Sequence, residues 1–219
     1  DQALAPRIEA FDEPDLAQIM VKPGPDLSER PADFKPYALE GLTQHAPPGS
    51  RMASGKYPTV SGLEHDELGH PTANPALHQK MTIKRREKIK AVATELSAPT
   101  IFGDQNGDVL IVGWGSTFGP IREAVGRLSA RGIRTGQVHL RHIHPLQPGL
   151  DELFSRYRHV VVAELNDEGL YGFGQLATLL RDRYAMNSIV SINKTDGLTF
   201  KVADIVDGIT RILARAHAS

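Results

Sequence analysis

The loop Gly62–Pro71 carries the densest group of side chains in this sequence that could do chemistry: Glu64, His65, Asp66, Glu67 and His70. Imidazole and carboxylate groups can transfer protons near neutral pH, and both are ligands for zinc and non-haem iron. A basic cluster, Lys84-Arg85-Arg86, follows shortly afterwards. A surface loop rarely needs so many ionisable groups for solubility alone. This acidic loop is therefore predicted to be either a site or a docking surface.

A metal centre in the acidic loop would use His65, His70 and His78 together with the neighbouring carboxylates. Their spacing matches no closed zinc pattern, and the segment His65–His70 differs from the His-Glu-x-x-His motif. A serine elbow of the Gly-x-Ser-x-Gly type is also absent from the sequence. We therefore predict no metal site and no catalytic residue in this chain. The loop is interpreted as a hydrogen-bonded surface at an interface.

Two further segments could contact an anion. The basic cluster could grip a phosphate or an acidic partner, although such a run is usually a solvated helix face. The segment Gly113–Pro120 leads from a predicted strand into a predicted helix, where Ser116 and Thr117 could cradle a phosphate or cap the helix. It contains no Gly-Lys-Ser/Thr and departs from the dinucleotide fingerprint, which disfavours nicotinamide cofactors.

The composition excludes several classes of protein. The chain has no cysteine, so it cannot hold an iron–sulfur cluster or a metal ion through thiolates. A net charge of -1 lacks the basic excess expected of a nucleic-acid-binding protein. No stretch approaches the roughly 18 apolar residues of a membrane-spanning helix. Together these features predict a cytoplasmic protein without nucleic-acid or membrane partners.

Residues 1–73 are predicted to form an extended linker or belt that packs on another surface. Ten of the 15 prolines fall here, and proline removes a backbone donor and fixes φ, which disfavours helices and central strands. Residues 74–98 are predicted to form a connecting helix, since Asn74 suits the N-cap and Pro75 suits the first turn. The apolar positions with a helical period are Leu77, Met81, Ile89, Val92, Ala93 and Leu96.

Apolar runs and amphipathic segments alternate over residues 99–219. Strands are predicted over 99–103, 108–114, 134–140, 159–163 and 188–193, and helices over 118–131, 148–157, 174–184 and 201–214. This order predicts an α/β fold with three layers, α/β/α, around a five-stranded, mostly parallel sheet whose first strand is antiparallel. The pair Asn106-Gly107 predicts a hairpin between the first two strands.

Several motifs resemble those of known enzymes. The segment Val109–Ser116, the helix after it and His144-Pro145-Leu146 resemble the C-terminal domain of transketolase, which occurs in many thiamine diphosphate enzymes. A longer series looks like the α subunit of 2-oxoacid:ferredoxin oxidoreductases, with the 2-oxoglutarate type most similar. Its motifs are Pro48–Ser50, Gly62–His70, Met81, Lys84–Lys88, Glu164–Asn166, Gly174–Leu176, Leu179–Arg181 and Asn193–Gly197. Residues 167–173 depart from the pattern as an insertion.

The resemblance implies the reaction of a complete enzyme. That enzyme would decarboxylate a 2-oxoacid on thiamine diphosphate, pass electrons through a [4Fe–4S] cluster to ferredoxin and transfer the acyl group to coenzyme A, or run in reverse. This chain would be the C-terminal portion of the α subunit, after a pyrimidine-binding domain that ends near Asp1–Ala5. By itself it would bind no cofactor and would be inactive. A partner β subunit would carry thiamine diphosphate, Mg²⁺ and the cluster, and the protomers would form a dimer.

The resemblance also gives the candidate residues a context. The ionisable residues of the acidic loop become candidates for lining a cofactor channel or an interface, with His65 and Asp66 favoured for reaching the thiamine or coenzyme A channel. The basic cluster, Ser116 and Thr117 are candidates for contact with an anion or a partner. Two alternatives remain open: the C-terminal domain of a 2-oxoacid dehydrogenase β chain or transketolase-like enzyme, and a non-catalytic regulatory module that binds an anion at residues 113–117.

Overall fold

The computed structural model of the protein describes residues 28–44 and 46–218. These residues divide into two compact units, an arm unit that ends at Glu95 and a sheet unit that begins at Leu96. No helix within these ranges is long and apolar enough to cross a membrane. The first part of the predicted belt, residues 1–27, lies outside the described residues. The predicted division into a belt, a connecting helix and a sheet domain stays a prediction.

The arm unit is irregular between residues 28 and 74 wherever the structure describes it. Two isolated bridges occur in this stretch, one pairing Arg30 with Met52 and one pairing His65 with Pro71. Turns and side-chain hydrogen bonds hold the rest, because the frequent prolines cannot donate to a helix or a central strand. The path of this segment therefore depends on side-chain contacts more than on regular secondary structure.

Helix α1 spans Pro75–Glu95 and begins where the sequence predicts. The side-chain oxygen of Asn74 accepts hydrogen bonds from the backbone N–H groups of Ala76 and Leu77, at 3.0 and 3.1 Å, which is an N-cap. Met81 is buried, whereas Ile83 and Val92 are 42% and 40% exposed. The predicted helix is present, and among its apolar positions Met81 is buried while Val92 is partly exposed.

The sheet unit alternates strands and helices over residues 101–218. Its strands are β1 Ile101–Gly103, β2 Gly107–Trp114, β3 Thr135–Leu140, β4 Tyr157–Glu164 and β5 Ile189–Asn193. Its helices are α2 Phe118–Ser129, α3 Leu150–Phe154, α4 Gln175–Tyr184 and α5 Val202–Ala218. Single 3₁₀ turns occur at Gly115–Thr117 and Gly169–Tyr171. Every strand and helix predicted from the sequence is present, with small differences at the ends.

The five strands form one sheet in the order β1-β3-β2-β4-β5. Neighbours among the last four are parallel, and β1 runs antiparallel to β3, with Ile101 opposite Val138. The predicted fold class, a mostly parallel sheet with an antiparallel first strand, is therefore confirmed.

The predicted hairpin between β1 and β2 is wrong, since β1 pairs with β3 instead. Strand β2 lies between β3 and β4 and is parallel to both. Its residues Val109–Val112 are fully buried, and a strand that is apolar on both faces is stabilised in the centre of a parallel sheet. The loop between β1 and β2 is held at the start of β3, because its Asp104 carboxylate accepts a hydrogen bond of 2.9 Å from the Thr135 N–H. The Asn106-Gly107 pair favours a hairpin only locally, and the burial of β2 between β3 and β4 stabilises the parallel pairing more.

The two faces of the sheet enter two separate apolar cores, because successive side chains of a strand point to opposite faces. Leu110, Val112 and Val160 pack with residues of α3 and α4 on one face. Val109 and Ile111 pack with α2 and α5 on the other. This three-layer arrangement brings the carboxyl ends of β2, β4 and β5 to one edge, where open α/β sheets commonly bind ligands or partners.

Candidate functional site

Glu64 is the central residue of the acidic loop, where it joins the loop to α1. Its two carboxylate oxygens accept hydrogen bonds from both terminal nitrogens of Arg85, at 3.1 and 2.8 Å. His78 Nδ1 lies 2.6 Å from the same carboxylate. The hydrogen bonds from Arg85 lower the pKa of Glu64 to about 2. Glu64 is therefore ionised at neutral pH and is a structural anchor rather than a general acid.

Glu67 joins the acidic loop to the proline-rich segment before it. Its carboxylate accepts a hydrogen bond of 3.0 Å from the Leu39 N–H and one of 3.1 Å from Lys35 Nζ. Its carbonyl oxygen accepts another, of 3.1 Å, from the Tyr37 N–H. The Leu39 N–H, and then Lys35, lower the pKa of Glu67. A second carboxylate of the loop is thus used to hold the backbone in place.

Asp66 shapes the loop itself. Its Oδ1 accepts hydrogen bonds of 2.9 Å from the N–H groups of both Leu68 and His70, and these bonds lower its pKa, with that from His70 contributing most. His70 Nδ1 also lies 3.6 Å from the other carboxylate oxygen. The turn needs Gly69, because its φ is +88° and a Cβ there would overlap the carbonyl oxygen of Thr59.

His65 faces the interior of the arm unit. Its side chain packs against the ring of Tyr37, with 4.0 Å between the ring centroids, and the residue is 8% exposed. Its Nδ1 lies 2.9 Å from the Asp66 carbonyl oxygen, so Nδ1 carries the proton that is donated. His65 is therefore oriented by a ring contact and a backbone acceptor.

The three residues of the basic cluster have different surroundings. Lys84 Nζ donates to the Gly41 carbonyl oxygen at 3.1 Å and to Thr43 Oγ1 at 2.6 Å, and partial burial lowers its pKa. Arg85 pairs with Glu64 as described above, whereas Arg86 is exposed and lies 3.9 Å from Glu87. The predicted anion contact of this cluster stays a prediction, and Arg86 is its exposed member that makes no contact with the acidic loop among the ion pairs of the described residues.

We call the acidic loop a brace, because its carboxylates hold α1, the loop backbone and residues 35–39 together through hydrogen bonds. Within the parts of the chain that the structure describes, no three His, Asp or Glu side chains come together as a metal site. Glu64, Asp66 and Glu67 instead accept hydrogen bonds from α1, from the loop backbone and from residues 35–39. Such a network rigidifies a surface loop and fixes the positions of the side chains on it.

Sequence reasoning missed the residues that hold this brace from the proline-rich side: Lys35, Tyr37, Leu39 and Thr43. Lys35 and Glu67 are 32 positions apart, so no periodic pattern links them. The contacts of Tyr37 and Leu39 with Glu67 use their backbone N–H groups, which almost any residue type provides. Only the fold of the arm unit shows these pairings.

The turn after β2 is braced by Thr117. Its hydroxyl donates to the Trp114 carbonyl oxygen at 2.8 Å and accepts from the Trp114 N–H at 3.0 Å. Gly113 makes room for this contact, because a Cβ there would overlap Ile121 of α2. Thr117 occupies the N-cap position of α2, but its side chain makes no cap hydrogen bond. Thr117 therefore does not cap α2, and its hydroxyl instead closes the 3₁₀ turn before that helix. The predicted anion contact of Thr117 stays a prediction.

Ser116 lies at the carboxyl edge of the sheet, beside a cavity of about 540 Å³ that Asn166, Lys194 and Thr199 also line. Lys194 Nζ lies 2.8 Å from the Asp196 carboxylate and 3.1 Å from that of Asp204. Hydrogen bonds to these carboxylates raise the pKa of Lys194, led by that to Asp196. The ammonium group of Lys194, which lines the cavity, is therefore already paired with two carboxylates. The predicted anion contact of Ser116 stays a prediction.

Glu164 is fully buried at the end of β4 and organises this edge. It accepts hydrogen bonds of 2.9 and 2.8 Å from the N–H groups of Leu176 and Ala177, in the first turn of α4. The Asn166 side chain donates a third, of 3.0 Å. Gly174 permits this approach, because a Cβ there would overlap the Glu164 carboxylate. The carboxylate thus satisfies N–H groups that a helix leaves without partners.

Comparison with known proteins gives this chain relatives along most of its length. Residues 107–205 match the family model described as pyruvate:ferredoxin oxidoreductase core domain II. The chain is 34% identical to the 2-oxoglutarate oxidoreductase subunit KorA of Mycobacterium tuberculosis, over 94% of this chain and 29% of that protein. It is 30% identical to the α subunit of 2-oxoacid:ferredoxin oxidoreductase 2 of Aeropyrum pernix, over 91% of this chain and 30% of that protein.

A solved structure shares the fold. The 2-oxoglutarate:ferredoxin oxidoreductase from Magnetococcus marinus, with 2-oxoglutarate, coenzyme A and succinyl-CoA bound, matches 81% of this chain and 30% of its own. The TM-score is 0.65 and the identity 29%. The chain therefore spans less than a third of the length of these relatives.

Proposed function

This chain belongs to the α-subunit family of 2-oxoacid:ferredoxin oxidoreductases, and from this membership we propose that it is a structural and interface segment of such a subunit. The segment would contribute to the interface between protomers and form part of the wall of the channel in which cofactors lie. Two alternative hypotheses have less support: the C-terminal domain of a dehydrogenase β chain or transketolase-like enzyme, and a regulatory module. The relatives named above are instead oxidoreductase α subunits or complexes.

The complete enzyme would convert a 2-oxoacid and coenzyme A into an acyl-CoA and carbon dioxide, with electrons passing to ferredoxin, or would run in reverse. We propose 2-oxoglutarate as the 2-oxoacid, because two similar proteins carry 2-oxoglutarate in their names. Its partners would be the remaining domains of the α subunit, a β subunit, ferredoxin and coenzyme A. A dimer of protomers and a cytoplasmic location complete the proposal.

Two features of this chain favour placing the cofactors that the family implies elsewhere in the complex. An iron–sulfur cluster needs thiolates, and the chain has no cysteine. A magnesium–diphosphate site needs converging oxygen ligands, and the described carboxylates of the acidic loop are occupied by Arg85, Lys35 and backbone N–H groups. We therefore assign thiamine diphosphate, Mg²⁺ and the [4Fe–4S] cluster to other parts of the complex.

The observation that carries the proposal is the use of the acidic loop as a brace. A catalytic loop would leave an acid or a base available to a substrate, whereas Glu64 and Glu67 are held by partners in their own unit. The arm unit also presents apolar side chains to solvent, including Leu42 and Ile83, around a groove of about 400 Å³. A braced loop beside uncovered apolar surface is typical of a region that the rest of an assembly covers.

The test is activity with and without the rest of the complex. The 219-residue chain should show no reduction of viologen with 2-oxoglutarate and coenzyme A, whereas the native α and β subunits together should show it. The intact mass and N-terminal sequence of the native polypeptide would establish whether it is longer than this chain. Activity from the chain alone would overturn the proposal, as would a native polypeptide of this length that forms no complex with a β subunit.

A further inference from the structure

A second feature of the sheet unit has no part in the proposed function. A groove of about 710 Å³ opens between β1, the start of α2 and one face of β3. We refer to it as the β1–β3 groove. Its aromatic walls are Phe102 and Phe118, and its polar lining includes Arg122, Gln137, His139 and Arg141. Its volume lies in the range of pockets that hold small molecules, roughly 300–1,000 Å³.

The groove contains two guanidinium groups that form no ion pair with any of the residues that the structure describes. Arg122 lies over the Phe102 ring at 3.7 Å and near the Phe118 ring at 5.6 Å, so aromatic contacts restrict its side chain. The salt bridges of the described residues include neither Arg122 nor Arg141, although other arginines of the chain pair with carboxylates there. Guanidinium groups that stay unpaired in a concave site can bind an oxyanion with two parallel hydrogen bonds.

Part of the polar lining comes from one face of β3. Gln137 and His139 alternate in that strand, so its period points both to the same side, and Arg141 follows directly after the strand ends at Leu140. Gln137 is 2% exposed and donates from Nε2 to the Phe118 carbonyl oxygen at 3.1 Å. Among the described atoms, Gln137 Oε1 and His139 Nδ1 are buried and have no hydrogen-bond partner. Buried polar atoms are nearly always satisfied in native proteins, which indicates a missing partner here.

The electrostatic surroundings favour a negative ligand. Burial, and then the nearby charge of Arg141, lower the pKa of His139, so the imidazole is neutral at pH 7. The groove also reaches the first residue of α2, a 12-residue helix whose N-terminus carries partial positive charge. The helix N-terminus adds to the positive charge of the two guanidinium groups, whereas the neutral imidazole can contribute a hydrogen bond.

We propose that the β1–β3 groove binds a small molecule that carries a carboxylate or phosphate group. The oxyanion would lie between Arg122 and Arg141, and the apolar part of the molecule would pack against Phe118 and Ile101, which also lines the groove. A concave groove with buried polar groups suits a small molecule better than a flat protein surface does. Binding here is independent of whether the chain joins the complex proposed above.

The experiment is an NMR titration of the ¹⁵N-labelled 219-residue chain at constant ionic strength. The probes are inorganic phosphate, succinate and a hexaglutamate peptide. We expect saturable shifts in the amide resonances of residues 100–102 and 137–141 with phosphate or succinate. Saturation by phosphate alone identifies a phosphate-bearing ligand, and saturation by succinate alone identifies a carboxylate-bearing one.

Matched variants separate specific binding from a general attraction to positive charge. Arg141→Gln, at an exposed position, should weaken binding of the effective probe by about tenfold, and Arg122→Gln with it should abolish saturation. Arg131→Gln removes an exposed charge beyond the end of α2 and should leave binding unchanged. Unchanged spectra outside the groove would establish that the variants are folded.

Three outcomes would overturn the proposal. Phosphate and succinate could both leave the groove resonances unshifted. Arg131→Gln could weaken binding as much as Arg141→Gln does, which would indicate non-specific charge attraction. The hexaglutamate peptide could bind where neither small anion does, which would reassign the groove to an acidic protein segment.

Discussion

Individual residues of the arm unit hold segments that lie far apart in the sequence. Glu64 connects the acidic loop to α1 through Arg85, and Glu67 connects the same loop to residues 35–39. Gly69 allows the turn between them. Since few regular hydrogen bonds support residues 28–74, these side chains carry much of the local order, and substitutions at them should have measurable effects.

The first prediction concerns the titration of Glu64. Its carboxyl should titrate near pH 2, and Arg85→Gln should raise this pKa toward the ordinary value of 4.5, because the Arg85 hydrogen bonds are the main cause of the shift. The folded-state pKa is depressed, so stabilisation by the pair is fully present above pH 4.5 and is lost as the pH falls toward about 2. Carbon-13 shifts of the glutamate carboxyls measure both values.

Arg127→Gln provides the control for that titration. Arg127 pairs with Glu123 on the exposed surface of α2, at 3.0 Å, so its loss should leave the Glu64 titration unchanged. A midpoint near 4.5 for Glu64 in the unaltered chain would show that the ion pair does not form.

The second prediction concerns Gly69. Gly69→Ala should destabilise the arm unit by about 1–3 kcal/mol, because alanine disfavours positive φ and its Cβ would overlap the Thr59 carbonyl oxygen. Amide hydrogen exchange at residues 66–70 measures the effect. Gly62→Ala is the matched control, since a Cβ at Gly62 meets no atom within 4 Å. Equal exchange in the two variants would argue against the turn described here.

Whole elements explain why the motifs of the sheet unit occur together. Glu164 ends β4, Gly174 precedes α4, and Asn193 ends β5, and the fold brings these three residues close together. Hydrogen bonds through Asn166 and Ser191 link them. The Asn193 side chain donates to the Asn166 carbonyl oxygen at 3.0 Å. The motifs that resemble the oxidoreductase α subunit therefore form a structural joint between β4, α4 and β5.

The third prediction tests this joint. Glu164→Gln should destabilise the chain by about 2–4 kcal/mol, because the buried carboxylate accepts hydrogen bonds from the N–H groups of Leu176 and Ala177 and an amide offers only one oxygen acceptor. Urea denaturation followed by the fluorescence of Trp114 measures the change. Glu152→Gln, at an exposed position of α3, should change stability by less than about 0.5 kcal/mol. Similar losses in both variants would contradict the assigned role of Glu164.

The chain covers 29% and 30% of the length of its two named relatives. The acidic loop braces the arm unit, and the sheet unit provides two closed cores. Neither unit, over its described residues, gathers three metal-ligating side chains. The proposed role in turnover is tested in the complex that the proposal describes, of this chain with the remaining domains and a β subunit.

The fourth prediction concerns Asp66 in that complex. Asp66→Ala should lower kcat/KM by between about tenfold and a hundredfold while the complex still assembles, because the carboxylate sets the shape of a loop proposed to line the channel. Asp66→Asn keeps one oxygen acceptor and should retain more activity. Asp33→Ala, at an exposed position of the arm unit, is the control. Unchanged kinetics for Asp66→Ala would make the loop purely structural.

Local signals in the sequence predicted most of the elements. Asn74 and Pro75 predicted the start of α1, and the alternation of apolar runs with amphipathic segments predicted all five strands and the four helices of the sheet unit. The absence of cysteine excluded thiolate ligands. These features depend on neighbouring residues and on composition, so they can be read without the fold.

Tertiary structure alone decided which segments meet. The Asn106-Gly107 signal predicted a hairpin, yet burial of β2 on both faces required parallel partners and left β1 to pair with β3. The acidic loop, which as a sequence could have been a metal site, is a brace because Lys35 and Arg85 come to it from distant parts of the chain. Pairings across such separations depend on packing and burial, which no local pattern records.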